Sequence, residues 1–508
     1  MRKLAGIVLV LAMVGLMVTG CPQRAAEPTP EINIVVAQGA DAVSLDPHKT
    51  NDLPSARVMR HIYDTLVVQD EDLAIQPGLA TEWKQIDDLT WEFKLRRGVE
   101  FHNGEALKAA DVKFSFDRLL NPETASPGAF ILGVLESVQV VDDYTVRLRL
   151  KQPFTPILSH LAHNVSGILN QKAVEAVGAE DYGRQPVGTG PFSFVNWTTG
   201  EHIDLVRFDG YWGTKATPNT LRFRNIREGA TRAIELETGA VDIAFDIEPA
   251  DYERLKGLDT VQIVRHPTLT TQYIGFNLQK PPFDRVEVRR AINHAINVPE
   301  IIEHVLLNVG RKATGPISPV VWGAHPDLEG YEFNPDRARQ LLAQAGLAQG
   351  FSTTIWTNDN PIRMKIAEVV QRRLADIGIT VEIQVLEWGT YLADTAAGKH
   401  DMFILGWVSV TGDADYGLYS LFHSSQFGNA GNRTFYKNER VDYLLDKGRT
   451  SAVAEERLAA YKEAQELIVA DAPWLFLNVG EGVQGLGKTI TGFVWHPAGH
   501  HRLTGVGK

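Results

Sequence analysis

Cys21 is the only cysteine in the 508 residues of this chain, so no disulfide between two of its own residues can stabilise the fold. It follows a leader typical of exported proteins, in which Arg2 and Lys3 precede an almost wholly apolar run over residues 4–17. That run is shorter than the ~20 residues that a membrane-spanning helix needs. We therefore expect an exported protein stabilised by a hydrophobic core, which a hydrophobic content of 44% can supply.

The residues around Cys21 give this thiol a specific use. Val18-Thr19-Gly20-Cys21 resembles the lipobox of bacterial lipoproteins, in which cleavage occurs before the cysteine and the cysteine then carries lipid. The alternative is an ordinary signal peptide with a cysteine there by chance. Residues 22–31 are polar and proline-rich, which is typical of a tether. We predict a lipoprotein signal peptide over residues 1–20, a tether over residues 21–31, and an extracytoplasmic protein anchored to the cell membrane through lipid on Cys21.

Charge and motifs argue against several function classes. The chain has 62 acidic and 50 basic residues and a formal net charge of −12, which disfavours nucleic acid as a partner. It contains no Gly-x-Ser-x-Gly elbow, no His-Glu-x-x-His helix and no Walker-type loop, so we expect no enzyme activity and no cofactor. His496, His500 and His501 have irregular spacing in a loop with proline and glycine, and we expect surface histidines there rather than a metal site.

The order of predicted elements indicates an α/β fold. Strand patterns occur at residues 33–37, 90–95 and 145–150, with helical patterns at residues 55–67 and 110–119. Later, a strand at residues 351–356 precedes a helix at 361–377, a stop at Gly378 and strands at 379–386 and 402–406. Strand, helix and strand in this order predict a parallel pair with a right-handed crossover. Ligands of such sheets bind at the carboxyl ends of the strands.

One candidate loop follows the strand at residues 351–356. Asn360 is positioned to cap the next helix, Pro361 suits the first helical position, and Arg363 lies in the first turn. A helix N-terminus with an arginine suits a carboxylate. The alternative is a capped surface helix without a ligand.

A second candidate loop, residues 407–415, follows the strand at residues 402–406. Trp407, Thr411, Asp413 and Asp415 would together suit a polar ligand with an amino group. The alternative is an ordinary turn with a solvent-facing acidic pair.

Short motifs in a fixed order resemble the extracellular solute-binding proteins of family 5, which include dipeptide, oligopeptide, nickel and glutathione binders. The motifs run from residue 44 to residue 474. They include Ser44-Leu45-Asp46-Pro47, Phe101-His102-Asn103-Gly104, Val187-Gly188-Thr189-Gly190-Pro191-Phe192, Pro282-Phe283-Asp284 and Asp471-Ala472-Pro473-Trp474.

This resemblance implies a two-lobed periplasmic-binding-protein (Venus-flytrap) fold of the cluster C type, with an extra subdomain in the first lobe. The core of lobe I would comprise residues 32–57, 187–275 and 479–508, its inserted subdomain residues 58–186, and lobe II residues 276–478. Ligand would be trapped by closure of the two lobes. The implied partners are a small peptide-like ligand and the permease and ATPase subunits of an ABC importer, and we expect a monomer.

One departure from the family pattern bears on the ligand. Di- and oligopeptide binders of the family carry an aspartate for the peptide amino group three residues after Gly406-Trp407, where this chain has Val410. Thr411-Gly412-Asp413-Ala414-Asp415 resembles the glutathione-binding branch instead. We therefore expect glutathione or a di- or oligopeptide as ligand. Whether Asp413 or Asp52 replaces the missing aspartate stays open.

Two alternatives within the same family are a nickel- or metallophore-binding component and a peptide-sensing receptor co-component. For a peptide-like ligand, the predicted contacts come from both lobes, and no metal site is predicted. The predicted ligand-binding residues are Asn51, Asp52, Tyr273, Asn360, Arg363, Gly406, Trp407, Thr411, Asp413 and Asp415.

Overall fold

The computed structural model describes residues 31–428 and 431–508. The predicted signal peptide, the predicted lipidation site Cys21 and residues 22–30 lie outside the described residues. Residues Ile32–Lys508 form one compact unit. None of the helices described in that unit is long and apolar enough to cross a membrane.

The first part of the chain builds a four-stranded antiparallel sheet whose strands lie in the order β4 (Ala80–Asp87), β5 (Thr90–Leu95), β7 (Thr145–Leu150) and β6 (Leu135–Asp142). Buried and less buried residues alternate along β7, with Val146, Leu148 and Leu150 facing a core that also contains Phe93 and Phe116. The elements up to this point and just beyond are β1 (Asn33–Gln38), α1 (Leu53–Met59), β2 (Val67–Gln69), β3 (Ile75–Pro77), β4 (Ala80–Asp87), β5 (Thr90–Leu95), α2 (Ala109–Leu120), β6 (Leu135–Asp142), β7 (Thr145–Leu150), α3 (Ile157–Leu161) and α4 (Gln171–Val177).

The remaining elements begin with three consecutive strands and continue as a mixture of helices and strands. They are β8 (Phe192–Thr198), β9 (His202–Arg207), β10 (Thr220–Asn225), α5 (Gly229–Glu237), β11 (Ile243–Ala244), α6 (Pro249–Lys256), β12 (Val261–Phe276), α7 (Val286–Ala295), α8 (Val298–His304), β13 (Arg311–Lys312), α9 (Pro335–Gln344), β14 (Phe351–Asn358), α10 (Pro361–Ala375), β15 (Ile379–Leu386), α11 (Trp388–Ala396), β16 (Met402–Val408), α12 (Ala414–Phe422), α13 (Glu439–Thr450), α14 (Ala454–Asp471) and β17 (Trp474–Gly487).

Eleven strands form one sheet. Ten of them lie in the order β15-β14-β16-β12-β17-β11-β1-β10-β9-β8, and β13 pairs with β17. The long strands β12 and β17 pair antiparallel in the middle, and their register shifts between Pro267 and Thr271. On one side of that shift β12 also pairs with β16, and at the other end β17 also pairs with β11. Separate apolar cores lie around β14–β16 and around β1, β9 and β10.

Several sequence predictions are confirmed. The strands at residues 90–95, 145–150 and 379–386 are β5, β7 and β15, and the helix after Asn360 is α10. β14 and β15 pair in parallel, with Phe351 opposite Ile379. Gly378 has a φ of 88°, which favours glycine and separates α10 from β15.

The predicted helix at residues 55–67 is wrong in its second half, because α1 ends at Met59 and β2 begins at Val67. The intervening backbone bonds to a distant loop: Gly190 N–H donates to the Ile62 carbonyl (2.9 Å), and Phe192 N–H donates to the His61 carbonyl (3.0 Å). These tertiary hydrogen bonds replace those of a continued helix.

The predicted surface position of His496, His500 and His501 is also wrong, because their exposed fractions are 5%, 8% and 2%. The loop that carries them packs inward. His501 lies among Phe245, Phe493 and Trp495. In the described ranges 31–428 and 431–508, no group of three or more His, Cys, Asp or Glu side chains is placed to hold a metal ion.

Candidate ligand-binding site

A cavity of about 450 Å³ lies beside the central strands of the large sheet. One wall comes from the carboxyl ends of β14 and β16 and from the starts of α10 and α11. The opposite wall comes from the segment that leads into α1 and from the loop between β11 and α6. The cavity is therefore lined at strand ends, as parallel α/β topology predicts.

Six of the predicted site residues line this cavity. They are Asn51, Asp52, Asn360, Arg363, Gly406 and Trp407. The absence of a side chain at Gly406 leaves room for Gln272, whose amide group would lie 2.5 Å from a Cβ at that position. Val410, at the position where peptide binders carry an aspartate, also lines the cavity.

Two arginines face the cavity from the β14–β16 side. Asn360 accepts a hydrogen bond from the Arg363 backbone N–H (3.0 Å) and so caps α10 as predicted. The Arg363 guanidinium donates to Asn358 Oδ1 (3.0 Å) and lies 5.7 Å from the Trp388 ring centre. Burial lowers the pKa of Arg363.

Arg433 is the second of these arginines, and it is not among the residues predicted from the sequence. It lines the same cavity, is only 7% exposed, and burial lowers its pKa as well. Within the described part of the chain, neither Arg363 nor Arg433 forms an ion pair with a carboxylate. A buried guanidinium without a counter-charge is costly, so both are suited to an anionic group of a ligand.

Acidic side chains line the opposite wall. Asp52 caps α1 by accepting from Ser55 N–H (3.3 Å) and also accepts from Trp388 Nε1 across the cavity (3.3 Å). Burial raises the pKa of Asp52. Glu248 is half-buried, has no ion-pair partner among the described residues, and burial raises its pKa.

Most other charged groups on the cavity wall have partners. Arg232 forms no ion pair among the described residues, but its guanidinium donates to the backbone carbonyls of Ile226, Arg227 and Asp246. Arg57 donates two hydrogen bonds to Asp246, at 2.7 and 2.9 Å. Although burial alone raises the pKa of Asp246, the charge and hydrogen bonds of Arg57 bring it below the ordinary value. Arg227 and Asp359 form an ion pair of 2.9 Å that also joins the two walls.

Four predicted site residues do not line the cavity. Tyr273 is fully buried and stacks on Trp474 with ring centres 3.5 Å apart. Thr411 is 4% exposed, and its carbonyl accepts from Gln69 Nε2 (2.9 Å). Asp413 and Asp415 have structural partners, described next.

Asp413 and Asp415 belong to a buried ionic network. Asp413 caps α12 by accepting from Asp415 N–H (2.9 Å) and pairs with Arg457 at 2.7 Å. Asp415 is 0% exposed and lies 3.2 Å from Arg449 and 3.3 Å from His160. The alternative prediction of a solvent-facing acidic pair is wrong for Asp415, because α3 and α13 enclose its carboxylate. The predicted contact of Asp413 and Asp415 with ligand stays a prediction.

Of the residues missed from the sequence, Trp388 had a usable signal. It begins α11 directly after the carboxyl end of β15, the same position relative to its strand that identified Asn360. Arg433 lies in an irregular glycine-containing loop between α12 and α13, where neither periodicity nor a strand end distinguishes it.

One sheet extends through two separate cores, and a cavity lies between two opposite walls. This arrangement is that of a two-lobed solute-binding protein. Residues 74–429 match the sequence profile of the bacterial extracellular solute-binding proteins, family 5 middle domain. The chain belongs to this family.

Two glutathione-binding proteins align with most of the chain. The glutathione-binding protein GsiB of Salmonella choleraesuis (strain SC-B67) is 33% identical over 471 residues, which is 91% of this chain and 91% of that protein. GsiB of Escherichia coli O6:K15:H31 is 32% identical over 470 residues, again 91% of each.

Solved structures of peptide binders share the fold. The ABC transporter-associated periplasmic binding protein DppA from Helicobacter pylori, in complex with the peptide STSA, is 33% identical with a TM-score of 0.89, covering 94% of this chain and 98% of that one. The oligopeptide-binding protein AppA from Bacillus subtilis, in complex with a nonapeptide, is 26% identical with a TM-score of 0.88, covering 94% and 99%. The predicted two-lobed periplasmic-binding-protein fold is confirmed. The domain boundaries stay a prediction.

Proposed function

We propose that this protein captures glutathione, or a small peptide with the same charges, and delivers it to the permease and ATPase subunits of an ABC importer. One observation carries the choice of ligand: Arg363 and Arg433 line one wall of the cavity with no carboxylate partner in the described part of the chain. Glutathione has two carboxylates and one amino group, so its anionic groups match two unpaired guanidiniums.

The opposite wall is suited to the amino group of the same ligand. The carboxyl group of Glu248 is available to an ammonium group, whose positive charge would favour its ionised form. Asp52 lies on the same wall but already accepts from Thr50, Ser55 and Trp388, so it has little accepting capacity left. Val410 leaves no carboxylate at the position where peptide binders of the family anchor an α-amino terminus. A γ-linked amino group reaching the Asp52 side of the cavity is consistent with that loss.

The proposed ligand contacts are the six predicted residues on the cavity, together with Arg433. A volume of about 450 Å³ lies in the range of ~300–1,000 Å³ that small-molecule sites occupy. Lipid attachment at Cys21 would hold the protein at the membrane beside the permease, with the binding unit as a monomer.

A second candidate ligand is an ordinary short peptide, which the 33% identity to the peptide-bound DppA favours. Calorimetric titration of the purified, ligand-stripped protein with reduced glutathione, a dipeptide, a pentapeptide and nickel separates these candidates. The nickel arm tests the metallophore alternative. The sensing alternative predicts normal binding without loss of uptake when the gene is removed.

We expect glutathione to bind, and Arg363→Gln and Arg433→Gln each to weaken it ~10- to 100-fold, the effect of losing one charge-assisted hydrogen bond. Arg337→Gln is the matched control, since Arg337 is exposed on α9. Binding of the dipeptide without glutathione would contradict the assignment, as would glutathione binding that neither arginine variant affects.

A further inference from the structure

A second cavity, of about 440 Å³, adjoins the first. The two share a wall formed by His163, Asn164, Val410 and His500. The second cavity extends from this wall toward the segment between α1 and β2, the loop at residues 211–214 and the C-terminal segment. The proposed function uses none of the residues that line only this second cavity.

Two guanidiniums supply the positive charge of the second cavity. Arg60 donates to the His500 carbonyl, and Arg502 donates to the Gln69 carbonyl at 3.3 Å. Neither arginine forms an ion pair with a carboxylate in residues 31–428 and 431–508. Burial, and then the neighbouring charge of Arg502, lower the pKa of Arg60 to about 9, so the two like charges lie close to each other. Arg502 is exposed, and its charge also acts on Asp64 in the same wall.

The histidines add no charge to this cavity. Burial lowers the pKa of His163 and His496 to about 3 and that of His500 well below its ordinary value, so all three are neutral at pH 7. His163 Nδ1 accepts from the Val165 N–H (3.1 Å), which places the proton of its neutral ring on Nε2. That Nε2 lies 3.3 Å from the Tyr416 hydroxyl.

The one carboxylate on the wall is already occupied by donors. Asp64 accepts from Trp212 Nε1 (2.7 Å), from Thr189 Oγ1 (3.0 Å) and from the Tyr211 hydroxyl (3.4 Å). It therefore has little accepting capacity left for a cationic ligand. Two guanidiniums and one carboxylate give the cavity wall a net positive charge, which favours the binding of an anion.

We propose that this second cavity binds a small anion carrying a carboxylate or phosphate group, with Arg60 and Arg502 as its primary ligands. The planar guanidinium fork binds either group through paired hydrogen bonds. The anion can be free in solution, or it can be the acidic end of a ligand that extends from the first cavity past Val410. This inference does not depend on glutathione being the ligand of the first cavity.

Titration of the purified protein with inorganic phosphate and with succinate at low ionic strength tests the proposal. We expect saturable binding that Arg60→Gln weakens ~10- to 100-fold. The exposed control Arg337→Gln should leave it unchanged. Because the first cavity also offers guanidiniums to an anion, the titration is repeated in the Arg363→Gln background, where Arg60→Gln should still weaken the remaining binding. Repeating the titration with glutathione present separates the sources: simultaneous binding identifies a free anion, and competition identifies the acidic end of a shared ligand.

A second variant tests the proposal in a way that does not depend on whether Arg60→Gln folds correctly. Asp64→Asn removes the negative charge from the wall and should tighten anion binding, a gain that damaged protein would not show. The proposal is overturned if neither anion binds saturably, or if binding is lost in Arg363→Gln and retained in Arg60→Gln. Because glutathione binding is measured in the same variants, failure of this site is distinguishable from failure of the proposed ligand.

Discussion

At the scale of single residues, the role of a charged side chain depends on which side chains lie next to it in the fold, and the sequence alone does not show these neighbours. Arg363 was predicted because a helix start beside it is a local feature. Asp413 and Asp415 were predicted as ligand groups because nothing local reveals Arg457 and Arg449, which lie 44 and 34 residues further along the chain. Their burial with these arginines and His160 gives the two aspartates a role in stability.

Asp415→Asn should therefore destabilise the protein by ~3–5 kcal/mol, because it leaves Arg449 buried without its counter-charge. Urea unfolding of both proteins measures the difference. Asp336→Asn is the control, since Asp336 pairs with Arg339 while 89% exposed and should change stability by less than ~0.5 kcal/mol. Unchanged stability together with lost ligand affinity would contradict this stabilising role and show that Asp415 contributes to ligand binding.

Asp64 should make stability depend on pH in a defined direction. Burial raises its pKa from 3.8 to about 6, so between these values the folded protein binds more protons than the unfolded chain, and stability falls as pH rises. Asp64→Asn removes this contribution. We expect the stability of the variant relative to the unsubstituted protein to improve by ~2 kcal/mol from pH 4 to pH 7 in urea unfolding. A pH-independent difference would show that the pKa of Asp64 is not raised.

At the scale of elements, local patterns predicted structure wherever neighbours in sequence also determine burial. β5, β7, β15 and α10 follow their alternation or helical period. Of the six predicted residues on the cavity, Asn360 and Arg363 lie at the start of α10, and Gly406 and Trp407 lie at the end of β16. Residues 60–66 could not be predicted, because their carbonyls accept hydrogen bonds from distant backbone: those of His61 and Ile62 from residues 190–192, and those of residues 64–66 from Ile168 and residues 78–80. The long pair β12 and β17 was also missed, since its register depends on contacts across some two hundred residues (Pro267 to Glu481, for example).

The turns that flank β14 and β15 provide a test at this scale. Gly350 has a φ of 75°, and a Cβ there would lie 1.8 Å from the Gly378 carbonyl oxygen, whereas Gly346 has a φ of 71° with open space around it. Gly346→Ala should cost ~1–2 kcal/mol from backbone strain alone. Gly350→Ala should cost ~1–3 kcal/mol more, because the two turns must separate. Equal thermal unfolding temperatures for the two variants would contradict the close approach.

At the scale of the whole molecule, the two walls of the cavity are joined by few polar contacts. Arg227–Asp359 is partly exposed and contributes only ~0.2–1 kcal/mol. The Asp52–Trp388 hydrogen bond is more buried and joins α1 to α11. The register shift between Pro267 and Thr271 lies in the strand pair that connects the two cores, and we expect the lobes to move about it.

Trp388→Phe tests this closure, because it keeps an aromatic ring on the cavity and removes the N–H that Asp52 accepts. Losing a hydrogen bond worth ~0.5–1.5 kcal/mol should shift the ligand-free protein toward the open form and weaken ligand binding ~2- to 10-fold. Small-angle scattering of the ligand-free protein should then give a larger radius of gyration, which a lost ligand contact alone would not produce. Trp356→Phe is the matched control, because its indole N–H donates to Thr354 within the same strand (3.1 Å). Equal scattering from both variants would mean that the Asp52–Trp388 bond does not hold the lobes together, and that closure depends on the ligand.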